Sequence, residues 1–274
     1  MNFDLVLCGV GGQGVLSIAW VIDHAAHAAG LCLKQSEVHG MAQRGGAVSA
    51  FVRISDRPVA SDLISDGSAA LIVSVEPMEA LRYTRLLRPD GCIVTDTTPM
   101  VNIDDYPDTT ALYRVLFGAP QLVALDATRL AQKAGTVKAQ NMVVLGAAAR
   151  FLPLPLAALE AQIHALFERK GDRIVKANIH AFRKGDAASR FAGSLLAGGV
   201  PSPLVAQVLS HLTFRPHAVP AAACAAWIQA LRDPACGEGL GAQLAAQPEL
   251  RHAEDGPPGA AAAPIPQHTG TTLA

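Results

Sequence analysis

Close cysteine pairs are missing from this sequence. Its five cysteines are Cys8, Cys32, Cys92, Cys224 and Cys236, and no two lie within three residues of each other. An iron–sulfur or zinc site usually takes at least one such pair, so no metal site is expected on this chain. Cys8, Cys32 and Cys92 fall in apolar, strand-like runs, where a free thiol serves as a small buried hydrophobe. An excess of charge is missing too. Lys and Arg number 22 against 23 Asp and Glu, a formal net charge of -1. The basic residues are scattered, which excludes the electrostatic footprint of a nucleic-acid or acidic-membrane binder. Apolar runs are broken by Gly, His or charge within roughly 12 residues, too short to span a bilayer. Met1 leads into a strand pattern with no basic, cleavable leader, so a cytoplasmic protein is expected.

Half of the 274 residues are hydrophobic, enough for one large core or a core with an appendage. Phe3 to Cys8 reads as a buried parallel strand. The glycine run 9–14 follows, then a helix from Val15 to about Ala29, which Gly30 stops. Leu31 to Lys34 reads as a second strand, completing a right-handed βαβ unit. Residues 36–46 read as a polar, glycine-punctuated loop. Further strands are expected at Ala47–Ile54, Ala69–Val75, Cys92–Thr95 and Gln121–Leu125. Helices are expected at Pro77–Leu87, Ala127–Ala134, Asn141–Phe151, Leu156–Phe167 and Asp172–Phe182, with a turn at Pro89-Asp90-Gly91.

Strands alternating with helices and then helices alone predict an α/β fold. Its sheet is open, mostly parallel and doubly wound, with helices on both faces. Composition sets boundaries at 1–185 for the α/β domain, 186–247 for an Ala-rich helical extension, and 248–274 for a Pro- and Gly-rich tail expected to be disordered.

Gly9, Gly11 and Gly14 satisfy G-x-G-x-x-G between a strand and a helix, and Gly12 and Gln13 lie inside the turn. Such a turn either admits a phosphate to the helix start or simply packs strand against helix. A dinucleotide site would need an acid at the end of the second strand, and Glu37 lies three residues beyond it. A free-standing NAD-binding protein is therefore the second reading, and a regulatory or scaffolding protein the third. Ser36, Glu37, His39, Gly40, Gln43, Arg44, Gly45 and Gly46 crowd polar groups among glycines. Loops at the carboxyl ends of parallel strands are where ligands bind. Arg44 can grip a carboxylate or phosphate with two hydrogen bonds, and His39 can donate or accept a proton. An ordinary turn with a Glu37–Arg44 ion pair is the bland alternative. Asn141 opens a helix and caps it or meets a ligand. Lys138 and Gln140 just before it can reach a phosphate there. No Ser-His-Asp order, paired-carboxylate cleft or His-rich metal spacing stands out, so the residues point to a binding subunit and no residue is confidently catalytic.

The segments 7–16 (LCGVGGQGVL) and 36–46 (SEVHGMAQRGG), followed by Glu76–Arg82, Leu125–Thr128 and Lys138–Gly146, resemble the gamma domain of the 2-oxoacid:ferredoxin oxidoreductases. Within that family the likeness is to the beta subunit of the indolepyruvate branch, and it covers about residues 2–185. The resemblance implies an enzyme that decarboxylates an aryl 2-oxoacid on thiamine diphosphate, reduces ferredoxin through 4Fe-4S clusters and releases an acyl-CoA. It further implies that thiamine diphosphate, Mg and the clusters sit mainly in a large alpha subunit. This chain alone would hold no cofactor and would be inactive without that partner. Under the resemblance the 9–14 and 36–46 segments face the partner and the coenzyme A or substrate carboxylate, with Arg44 giving charge and His39 and Gln43 hydrogen bonds. A gamma subunit of the phenylglyoxylate or branched-chain type is the neighbouring alternative. Such a subunit would end near residue 189, yet 274 minus 189, or 85, residues follow.

Overall fold

The computed structural model describes residues 1–39, 45–101, 103–233, 239–240, 243–244, 246 and 250–258. A six-stranded sheet runs in the order β2-β3-β1-β4-β5-β6. Its strands are β1 (Asn2–Val10), β2 (Cys32–His39), β3 (Ala47–Ser55), β4 (Ala69–Ser74), β5 (Leu87–Asp96) and β6 (Leu122–Leu125). β1, β4, β5 and β6 are mutually parallel, and β3 alone runs against its neighbours β1 and β2. The mostly parallel, doubly wound sheet is thus as the sequence predicts.

The two faces follow from the period-two alternation of strand side chains. Leu5 and Leu7 of β1 enter one apolar cluster with Ile18 and Ile22 of α1 (Val15–Ala28). Val6 and Cys8 enter the opposite cluster with Ala80 of α2 (Pro77–Arg82) and Leu116 of α3 (Thr109–Leu116). Helix α1 buries Val15, Ile18, Ala19, Ile22, Ala25 and Ala26, the spacing of one helical stripe. It ends where Gly30 takes a φ of +73°.

Several local expectations are corrected. Ser36 to His39 belong to β2, not to a loop, since Ser36 pairs with Phe51 and His39 with Val48. β2 and β3 form a long antiparallel pair that places β3 between β1 and β2. The expected βαβ unit therefore spans an inserted strand. Helix α2 stops at Arg82, where Tyr83 turns its ring edge-on to Phe51. Residues 88–91 are a bulge in β5: Ala69 faces Leu87 while Leu71 already faces Cys92.

The boundary at 185 falls inside α7 (Asp172–Ala197). Gly185 is a contact residue, not a break. A Cβ there would lie 1.9 Å from the Val143 carbonyl oxygen of α5 (Gln140–Ala149), and one at Gly146 of α5 would lie 1.8 Å from the Phe182 oxygen. The two backbones touch, as only paired glycines permit. Beyond α7, helix α8 (Ser202–Leu209) sends Ala206 into the cluster around β6. Strands β7 (Leu212–Thr213) and β8 (Arg251–His252) pair in parallel. Helix α9 (Ala221–Arg232) buries Trp227 completely, and its indole Nε1 donates to the Ala253 carbonyl at 2.8 Å. Residues 250–258, expected to be an unstructured tail, are thereby packed against the extension; 259–274 lie outside the described residues.

Two substitutions test this continuity. Gly185→Ala forces α5 and α7 apart and costs about 3 kcal/mol of unfolding free energy, the upper end of the usual overpacking cost. Trp227→Ala leaves a large cavity and costs about 3–5 kcal/mol. Urea denaturation reads both. A Trp227→Ala midpoint matching the unsubstituted chain's would show that the extension is an independent appendage.

Candidate functional site

The glycine turn and the segment after β2 meet because the β1–β3 ladder continues past its last pair, Val10 with Ala47. The Gly11 N–H donates to the Gly46 carbonyl at 2.7 Å, and the Gly45 N–H to the Gly11 carbonyl at 3.3 Å. Gly45, at φ +80°, and Gly12, at φ +100°, have open space where a side chain would stand. Gly9 is glycine for packing, since its Cβ would sit 2.3 Å from Val75.

Gln13 and Asn141 hold the turn from inside. Gln13 Oε1 accepts from the Val10 N–H at 2.8 Å, and its Nε2 donates to the Val75 carbonyl at 3.0 Å. Asn141 is buried in α5. Its Nδ2 donates to the Gly14 carbonyl at 3.2 Å and its Oδ1 accepts from the Met142 N–H. Gly14 turns at φ +83°, and a Cβ would meet Asn141 Nδ2 at 2.5 Å. Asn141 therefore fastens the turn to α5.

A cavity of about 720 Å³ opens on this rim, at the carboxyl ends of the parallel strands, the usual ligand position in such sheets. Gly11, Gly12, Gln13 and Gly45 form one side. Asp96 and Thr98 at the end of β5 form the floor and second wall. Thr128 of α4 (Ala127–Ala134), with Lys138 before α5 and Gln140 at its first position, completes it. Lys138 is exposed, and among the described residues no acid pairs with it.

Asp96, Thr98 and Thr128 escaped the sequence reading. The available signal was an acid standing at a strand's carboxyl end. Asp96 is fully buried. Its Oδ1 accepts from Thr98 N–H at 2.9 Å and Ala127 N–H at 3.2 Å, and Oδ2 lies 3.4 Å from the Thr128 hydroxyl. Burial pushes its carboxyl up from the ordinary 3.8 to about 7; the Thr98 bond opposes this and nearby Asp126 reinforces it.

The remaining predicted residues divide. Ser36 and Glu37 lie on the edge strand and do not line the cavity; Glu37 accepts from Gln35 at 2.6 Å. His39 closes β2, its backbone paired with Val48. Gly40, Gln43 and Arg44 lie outside the described residues, as does the proposed Glu37–Arg44 pair. The NAD reading loses its basis: the acid of a dinucleotide site stands on the strand beside the first, and here β3 holds that place. Among the described residues no group of three or more His, Cys, Asp or Glu is placed to hold a metal ion, and no helix is long and apolar enough to cross a membrane.

The Asp96 carboxyl gives a pH prediction. A folded-state value above the unfolded one means that the native chain keeps this proton longer. The associated stability is present below about pH 4 and is lost as pH rises through about 7. Asp96→Asn removes that loss, on the order of 2–4 kcal/mol across the window. Asp23 is likewise pushed up to about 7, by burial and by Glu37, so the diagnostic is the difference between wild-type and Asp96→Asn urea midpoints from pH 4 to 7.5. Parallel profiles would show that the carboxyl ionises normally.

Comparison with known proteins agrees with this geometry. The sequence matches the family described as pyruvate ferredoxin/flavodoxin oxidoreductase over residues 4–188. It is 35% identical over 192 residues to the indolepyruvate oxidoreductase subunit IorB of Archaeoglobus fulgidus, covering 68% of this chain and 94% of that protein. The protein of the same description from Methanothermobacter thermautotrophicus is 35% identical over 196 residues, covering 69% and 98%. Among solved structures, the 2-oxoglutarate:ferredoxin oxidoreductase of Magnetococcus marinus, with 2-oxoglutarate, coenzyme A and succinyl-CoA bound, shares the fold at TM-score 0.56 and 19% identity, over 86% of this chain and 42% of that one. With more than half of its residues matched and two IorB relatives aligned almost end to end, the chain belongs to the pyruvate ferredoxin/flavodoxin oxidoreductase family.

Proposed function

We propose that this chain is the small subunit of a 2-oxoacid:ferredoxin oxidoreductase acting on an aryl pyruvate such as indolepyruvate, and that the rim cavity receives the coenzyme A side of the reaction. The holoenzyme would convert 2-oxoacid, coenzyme A and two oxidised ferredoxins to acyl-CoA, carbon dioxide, two reduced ferredoxins and a proton. In this reading thiamine diphosphate, Mg and the 4Fe-4S clusters sit in a larger partner, which also meets ferredoxin, and they supply the decarboxylation and electron transfer. The observation that carries the reading is the Gly11–Gly46 junction beside a cavity of about 720 Å³, a volume suited to one cofactor-sized ligand.

The residues of this chain divide the task physically. Gly12 and Gly45 let a ligand approach the backbone, because neither carries a Cβ and both turn at positive φ. Lys138 supplies a positive charge for a phosphate group. Arg44 adds a second cation on the strength of the sequence alone. Gln13 and Asn141 shape the turn, since their amide groups are engaged within the chain.

The test is co-expression with the larger subunit, followed by an anaerobic dye-reduction screen over aryl and branched 2-oxoacids with coenzyme A present. Turnover confined to branched acids or phenylglyoxylate would reassign the substrate. In that complex Lys138→Ala raises KM for coenzyme A about 10-fold with little change in kcat, as expected when one charge-assisted contact to the ligand is removed. Arg44→Ala acts in the same direction. If both variants keep the wild-type KM and still bind the partner, coenzyme A lies elsewhere.

A further inference from the structure

The second wall of the cavity lies in a segment whose described residues, 97–101 and 103–108, belong to no helix or strand. Residues 97–108 run from the end of β5 to the start of α3. Thr98, Pro99 and Met100 of this segment line the cavity. It also turns large apolar side chains outward: Met100, Val101 and Ile103 are 37%, 69% and 42% exposed. A wall of this kind needs anchoring from beneath.

The anchor is Glu76, which caps α2 at the carboxyl end of β4 and is 0% exposed. Its Oε2 accepts from the Glu79 N–H at 2.8 Å, which fixes the carboxylate on α2. Its Oε1 reaches across to the wall, accepting from the Met100 N–H at 3.3 Å and from the Tyr106 hydroxyl. A second tie runs beside it, where the Tyr113 hydroxyl of α3 donates to the Thr97 carbonyl at 2.5 Å. A carboxylate withdrawn from water needs such donors, because an underpartnered buried charge is costly. Among the described residues three groups donate to Glu76, and two of them belong to this segment.

We propose that Glu76 is a positioning residue for the cavity: through Tyr106 and the Met100 amide it moors the 97–106 wall in the place a bound ligand requires. The proposal rests on the coenzyme A reading for the identity of that ligand, but the mooring itself stands on the hydrogen bonds above. Glu76 touches no ligand in this scheme and takes no part in bond making.

Tyr106→Phe tests it with the least disturbance, since it removes one hydroxyl and keeps the ring. In the complex with the larger subunit, amide exchange over residues 97–106 speeds up about 10-fold, the factor expected for one lost hydrogen bond to a charged group. KM for coenzyme A rises by a similar factor, and by more than kcat falls. Glu76→Gln keeps an acceptor oxygen for Tyr106 and should show a smaller change in both readouts. Unchanged exchange in Tyr106→Phe overturns the mooring. Faster exchange with an unchanged KM overturns the positioning role. A wild-type complex that turns over oxoacid without saturating in coenzyme A sinks the ligand assignment instead, and exchange then decides the mooring alone.

Discussion

The Gln13 carboxamide sits beneath the glycine turn and joins the ends of two parallel strands. One end accepts from Val10 of β1 and the other donates to the carbonyl of Val75, just beyond β4. These are backbone groups that the sheet itself leaves unpaired once the strands stop, and a buried backbone group without a partner is costly. A single side chain satisfies both and fixes the spacing of β1 and β4 where the cavity begins. With that spacing set, Gly11 can carry the β1–β3 ladder on to Gly45 and Gly46, and Gly14 can meet Asn141. The turn is therefore a joint with internal partners, and its polar side chains are committed to holding shape.

The same economy of small residues explains how the carboxyl-terminal part belongs to the fold. Gly146 and Gly185 let α5 and α7 approach until backbone meets backbone. In the second half of α7, Phe191 packs its ring tilted against Phe214 and edge-on against Trp227 of the extension. Lys184, one residue before the glycine contact, is buried and donates to the Phe214 carbonyl. Burial pushes its ammonium group below the ordinary lysine range, while Glu254 opposes that shift. The extension thus closes over β6, the edge strand that would otherwise present unpaired backbone.

Much of this was legible in the sequence, for reasons that can be named. Buried parallel strands such as 69–74 are short continuous apolar runs, and a glycine turn between strand and helix has few other uses. The errors share one cause: a local signal whose meaning depends on a distant partner. Ser36 to His39 look like a loop because they are polar, yet they pair with Val48 to Phe51 across an edge strand that tolerates polarity on its free side. The boundary at 185 follows a change in composition, and the carbonyl of Val143 that demands a glycine there lies 42 residues earlier in sequence. Asp96 carries no local mark beyond its place at a strand end. Its importance comes from meeting α4 and from burial, neither of which a single sequence displays.

A site assembled in this way has a particular mechanical character. One wall is the glycine junction, held by Gln13 and Asn141 through the sheet and α5. The other is the 97–106 segment, held chiefly by Glu76 and Tyr113 through side chains. The first wall is continuous with the β-ladder; the second is tied to the buried Glu76 by a few side-chain hydrogen bonds. A ligand in this cavity, as the proposed function has it, would meet one surface held by backbone and one held by side chains. The surface held by side chains is also the one that turns Met100, Val101 and Ile103 outward, so any protein covering those side chains in the assembled enzyme would bear directly on the width of the cavity. Under the proposed function, partner and ligand would then act on the same few bonds, a physical means of coupling two subunits without either one carrying the whole site.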